Sequence, residues 1–190
     1  MTTVGVTVLF TDLVGSTELS TRLGADAADR LRRTHFALIR PPVEEHCGTE
    51  VKNLGDGIMA VFPSSAAALD AAVAIQQALH RHTAVGTRER LEVRIGVAAG
   101  DCTPEGDDYF GEAVIIAARL CARAGAGEIL VPDYLRHLAP RGRYSFESLG
   151  TLALKGIPEA VAAASVRWEP PEANAHARFI GVLDRLADDA

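Results

Sequence analysis

The stretch between residues 48 and 62 most narrows the folds open to this chain. Two short runs, Gly48–Leu54 and Ile58–Phe62, flank Gly55-Asp56-Gly57. Asp-Gly tolerates the positive backbone angles of a tight turn, so the runs read as a β-hairpin. A helical pattern stands on each side of it. Ala25–Glu45 carries Ala28, Leu31, Phe36 and Ile39 at helical spacing, and Ser64–Arg81 carries Ala68, Ala72, Ile75 and Leu79 on one face. Val4–Phe10 before the first helix and Leu91–Ala98 after the second both read as strands. The successive Val8, Leu9 and Phe10 imply burial on both sides of the sheet. Strand–helix–strand–strand–helix–strand is the order of a ferredoxin-like (βαββαβ) α+β fold, an antiparallel-dominated sheet with helices on one face.

The connections carry further expectations. Thr11–Ser16 reads as a turn, followed by a helix to Leu23 with Ser16 or Thr17 as N-cap. Pro41-Pro42 should kink or restart the long helix. Thr103–Tyr109 reads as a polar loop, Gly111–Ala124 as an Ala-rich helix, and Glu128–Val131 as a short strand. After a helical turn at Asp133–Leu138, Tyr144–Leu154 and Ala160–Val166 form a last strand pair. One domain is expected over residues 1–168. Residues 169–190 read as a Pro-containing linker and a short helix with Phe179, Ile180, Leu183 and Leu186 on one side.

A formal net charge of −6 argues against nucleic acid or an anionic membrane as partner, since both attract basic surfaces. No apolar run reaches the roughly 18 residues of a membrane span, so the chain reads as cytoplasmic and soluble, with no membrane segment. Cys47, Cys102 and Cys121 are odd in number and lack metal-type spacing, which fits free thiols.

Asp12 stands directly after an apolar strand and just before a helix. A carboxylate there can hold a hard cation, and the N–H groups from Leu13 through Val14, Gly15, Ser16 and Thr17 can meet phosphate oxygens. In the expected topology the first strand neighbours the hairpin, so Asp12 and Asp56 converge. Two such carboxylates suit a pair of divalent cations, Mg²⁺ or Mn²⁺, about 3.5–4 Å apart.

In this order the motifs resemble those of class III nucleotidyl cyclases. Phe10-Thr11-Asp12-Leu13-Val14-Gly15-Ser16-Thr17 is similar to the family's first metal motif and Val51-Lys52-Asn53-Leu54-Gly55-Asp56-Gly57 to its second. Arg94–Gly100 resembles the following strand, Asp108–Val114 through Ala117–Leu120 the helix that completes the site, and Leu154-Lys155-Gly156 a landmark near the end. The resemblance spans roughly residues 4 to 168.

It implies an adenylate cyclase acting on ATP, the alternatives being a guanylate cyclase of the same fold or a degenerate nucleotide-binding regulatory module. Asp12, Leu13 and Asp56 would bind the metals, Lys52 and Asp108 would choose the base, and Arg119 and Lys155 would meet the phosphates. Lysine can only donate and carboxylate accepts, matching adenine N1 and its amino group and opposing guanine. The resemblance also implies a head-to-tail homodimer with two shared sites. One position departs from the pattern: four residues before Arg119 the family usually carries asparagine, and here it is Ile115. The six histidines fall outside these motifs and read as surface residues.

Overall fold

The computed structural model describes residues 2–84 and 90–170. The expected helix near residue 180 lies outside them. The elements are β1 (Val4–Leu13), α1 (Ser16–Leu23), α2 (Ala25–Glu45), β2 (Thr49–Asn53), β3 (Ile58–Phe62) and α3 (Ser65–Ala84). They continue with β4 (Val93–Glu105), β5 (Asp108–Phe110), α4 (Glu112–Arg123), β6 (Ile129–Pro132), α5 (Leu135–Leu138), β7 (Ser145–Leu152) and β8 (Val161–Arg167).

The main sheet runs β2-β3-β1-β4-β6-β8-β7, with β5 paired to β4 alone. Its first four strands have the ferredoxin-like order, all antiparallel. Among the described residues only β4 and β6 pair in parallel, joined through α4. The α+β reading therefore holds, as a mixed sheet dominated by antiparallel pairs.

Alternation along β1 sorts the core into two halves. Leu9 and Leu13 face α2 and α3, packing with Phe36, Ile39, Leu69, Ile75 and their neighbours. Val8 and Phe10 face the other way, towards Ile116, Ala117 and Leu120 of α4. The expectation of helices on one face is right for α2 and α3 and wrong for α4. Both faces of the central strands are apolar, so the second also needs cover, and the helix linking β4 to β6 supplies it. Gly96 permits the close approach: a Cβ there would stand 2.2 Å from the Ala117 carbonyl oxygen and 2.3 Å from the Cys121 nitrogen.

Two local expectations give way, and the new helix start at Pro41-Pro42 is absent. Pro41 and Pro42 sit inside a continuous α2. Proline forfeits the bond to the carbonyl four residues back, and for Pro41 that carbonyl belongs to the exposed Ala37, where water can serve it. Ile39 and Val43, on either side of the pair, are buried in one core, and Pro42 is buried between them, which holds the helix together there. The N-cap of α1 is Gly15 at φ 69°, without a side-chain bond, rather than Ser16 or Thr17. Residues 103–109 are no loop: β4 extends to Glu105 and turns into β5, with Glu105 opposite Asp108. Among the described residues no helix is long and apolar enough to cross a membrane.

Candidate active site

The antiparallel register of β1 and β3 pairs Phe10 with Met59 and runs on towards the β2–β3 turn. Two bonds extend it. The Ile58 N–H donates to Thr11 Oγ1 at 3.0 Å, and the Leu13 N–H donates to the Asp56 carbonyl at 3.2 Å. Asp12 thus lies between two ties to the turn that carries Asp56, which sets the two main chains side by side. Gly57 makes room for it: a Cβ would fall 1.8 Å from the Thr11 carbonyl oxygen. The turn closes with the Leu54 N–H on the Gly57 carbonyl at 2.8 Å, Gly55 taking φ 99°.

Each carboxylate already has a donor. Arg94, directly opposite Asp12 across β1 and β4, sets Nε at 2.6 Å and a terminal nitrogen at 2.5 Å from Asp12 Oδ2. The Ser16 hydroxyl donates to Asp56 Oδ2 at 2.5 Å. Sequence reasoning assigned Arg94 no role. The signal was its strand position, which alternation puts on the same side as Asp12, but that partnership needs the register. Cys121 backs this corner, its thiol 3.4 Å from the Arg94 carbonyl oxygen. Burial, then the Asp12 charge, push that thiol up to about 12, so it stays protonated.

His35 corrects another expectation. It is fully buried on α2, and among the described residues neither ring nitrogen makes a well-formed hydrogen bond, the Asp56 main chain being near enough only for a weaker pull. Burial pushes its pKa down to about 4, against a smaller opposing pull from the Asp56 main chain and carboxylate, so the imidazole is neutral. A cavity of about 490 Å³ lies between α1, α2 and the β2–β3 turn, lined by Ser16, Thr17, Leu31, His35 and Asp56 among others.

The expected phosphate donors divide. The Leu13 N–H is taken by Asp56, and the Val14 N–H donates to the Glu92 carbonyl at 2.9 Å. Past Gly15, the N–H groups of Ser16 and Thr17 open α1 and have no acceptor within the helix.

Two further pairs stand elsewhere. Lys52 on β2 and Asp108 on β5 meet at 2.5 Å, and Asp108 Oδ1 also accepts the Tyr109 N–H at 2.8 Å. The lysine, then that N–H, hold the Asp108 carboxyl below the usual carboxylate range. The β4–β5 hairpin makes this encounter possible by fixing residue 108. Arg119 on α4 donates from Nε to the Lys155 carbonyl at 2.8 Å, with both side chains exposed. Ile115, one turn before Arg119, is 44% exposed on the outward face of α4. Lys52, Asp108, Arg119 and Lys155 do not line the cavity beside Asp56.

The donor set at Asp12 and Asp56 fits hard divalent cations, which favour carboxylate oxygen. Among the described residues no three His, Cys, Asp or Glu side chains gather around a common point. A cation here would complete its shell with main-chain oxygen, water or ligand phosphate.

Residues 2–165 match the family described as "Adenylate and Guanylate cyclase catalytic domain". The chain is 32% identical over 155 residues to serine/threonine-protein kinase pkn2 of Myxococcus xanthus, covering 81% of this chain and 19% of that protein. It is 32% identical over 161 residues to the pH-sensitive adenylate cyclase MT1302 of Mycobacterium tuberculosis, covering 80% and 38%. The chain thus spans well under half the length of these relatives. Among solved structures, the adenylyl cyclase CyaB from P. aeruginosa superposes with a TM-score of 0.77 at 28% identity, covering 90% of this chain and 98% of that one. With motifs, fold and these likenesses in agreement, the chain belongs to the adenylate and guanylate cyclase catalytic-domain family.

Proposed function

We propose that this domain is an adenylate cyclase, converting ATP to 3′,5′-cyclic AMP and pyrophosphate at sites shared by two chains. The observation that carries the choice of substrate is the meeting of Lys52 and Asp108. Side by side, they offer adenine a donor for N1 and an acceptor for its amino group, while guanine would set like against like. Half-exposed ion pairs of this kind contribute only about 0–1 kcal/mol, so a base can part them at small cost.

In the reaction the ribose 3′-oxygen bonds to the α-phosphorus in line, and the bond from that phosphorus to the pyrophosphate oxygen breaks. Bound between Asp12 and Asp56, two divalent cations, Mg²⁺ or Mn²⁺, would acidify the 3′-hydroxyl and neutralise the triphosphate. Asp12 would turn from Arg94 to do this, leaving that guanidinium beside the phosphates as a two-pronged donor. The opening N–H groups of α1 add the positive end of a helix. Arg119 is aimed at charge developing on the α-phosphate, and Lys155 at the terminal phosphates. Ile115 contributes no hydrogen bond, which lowers the rate rather than changing the reaction.

A head-to-tail homodimer accounts for the separation of the two groups. Asp12 and Asp56 of one chain would face Lys52, Asp108 and Arg119 of the other, giving two equivalent sites. The exposure of Arg119, Ile115 and Phe110 supports this reading, since it leaves them available to a second chain.

The test is incubation of the purified protein with Mn²⁺ and either ATP or GTP, with products separated by chromatography. Cyclic AMP should form from ATP, little product from GTP, and none from Asp12→Ala. Preferential use of GTP would overturn the base assignment. No product, with Mn²⁺·ATP still raising the melting temperature, would make the domain a nucleotide-binding module, the alternative that Ile115 favours.

A further inference from the structure

We infer that Thr11 is a positioning residue for the metal site, its hydroxyl fixing the spacing between the strands that carry Asp12 and Asp56. This rests on the reading of those aspartates as metal ligands. Ile58 is fully buried, so its N–H cannot turn to water and must find an acceptor inside the protein. Continuing the β1–β3 register from Phe10 and Met59 sets Ile58 against Thr11. There the acceptor is not a main-chain carbonyl but Thr11 Oγ1, at 3.0 Å. The Thr11 carbonyl oxygen instead lies against Gly57, in the space a Cβ there would fill.

Thr11 is itself 1% exposed, so water has no ready route to replace its oxygen. The next tie along the strands is the Leu13 N–H on the Asp56 carbonyl. Asp12 is therefore bracketed by one side-chain tie and one main-chain tie, both to the segment 56–58. Without the first, the turn bearing Asp56 is held beyond the last ladder pair, Phe10 and Met59, by the Leu13–Asp56 bond alone, and its spacing from β1 loosens. Two carboxylates that must share cations feel such loosening directly, because the ligand separation sets the fit. Serine keeps the oxygen; valine keeps the shape and loses it.

The fold supplies its own control. Thr7 lies four residues earlier on the same side of β1, is equally buried, and bonds Ser65 Oγ at 3.3 Å, away from both aspartates.

The experiment compares wild type with Thr11→Val, Thr11→Ser, Thr7→Val and Asp12→Ala by thermal melting across a Mn²⁺ titration, with ATP turnover alongside. Loss of an outer support of this kind typically costs about 10- to 100-fold in metal affinity or activity. Thr11→Val should therefore need about 10-fold or more Mn²⁺ for the same melting shift, and turnover should be recovered partly at high Mn²⁺. Thr11→Ser should stay within about 2-fold of wild type, and Thr7→Val should bind Mn²⁺ as wild type does even if it melts lower. Thr11→Ala, which leaves space for a water at Ile58, replaces Thr11→Val if that protein does not fold. An unchanged Mn²⁺ midpoint in the hydroxyl-free variant overturns the inference. So does a Thr11→Ser as impaired as Thr11→Val, or a Thr7→Val with the same Mn²⁺ defect. If wild type and Asp12→Ala respond alike to Mn²⁺, the metal site itself is refuted instead.

Discussion

His35 shows how far a single residue can escape a reading by motif. In sequence it is one of six histidines, set among the charged residues of an amphipathic helix. Folded, it is fully buried behind the Asp56 turn. Its pKa falls from 6.5 to about 4, chiefly by burial, so the native imidazole stays neutral where the unfolded one takes a proton. Between those values the unfolded chain binds more protons, and acid favours it. The stabilisation is complete above pH 6.5 and is lost as pH falls towards 4, a change on the order of 3 kcal/mol. His35→Leu should therefore show a smaller drop in melting temperature between about pH 7 and pH 5 than wild type. An equal drop in both proteins would mean that other groups carry the acid sensitivity.

Among the elements, α4 is the one whose place matters most, because it brings Arg119 and Ile115 to the surface opposite α2 and α3. Its buried stripe of Ala113, Ile116, Ala117, Leu120 and Cys121 is legible as a periodicity. Which face of the sheet it covers is not, since both faces of β1 are apolar. Gly96 decides how closely it lies. Gly96→Ala would thrust a methyl group into the α4 main chain, which cannot rotate aside as a side chain can. Overpacking typically costs about 1–3 kcal/mol, and backbone contact belongs at the upper end. Melting should fall by several degrees, measured by calorimetry, and cyclase activity should fall with it as the Arg94–Asp12 corner shifts. The β4–β5 hairpin teaches the opposite lesson. Its polar composition hid the strands, because a hairpin projecting beyond the main sheet has little apolar alternation to show.

At the scale of the whole molecule, the Lys52–Asp108 pair and Arg119 beside Lys155 both lie off the cavity that Asp56 lines. If two chains share their sites, lesions in different groups complement each other. Asp12→Ala and Lys52→Ala proteins, each inactive alone, should recover activity when mixed, because one of the two heterodimer sites keeps all its residues. Activity should approach about a quarter of wild type at random equal mixing: half of the dimers, each with one site. Mixtures that stay inactive while heterodimers demonstrably form would place each complete site within one chain.

The hairpin at Gly55-Asp56-Gly57, the helical stripes and the strand order follow from local chemistry: turn angles, side-chain period and the need to bury apolar faces. Asp12, Asp56, Lys52, Asp108 and Arg119 could be picked out there too, because their neighbours along the chain form motifs. The partners could not. Arg94 against Asp12, Ser16 against Asp56, Thr11 against Ile58 and His35 behind the turn each join residues far apart in sequence. Register and packing select these contacts, and both emerge only when strands and helices settle against one another. Sequence named the candidate site residues, while tertiary structure alone decided what holds them in place.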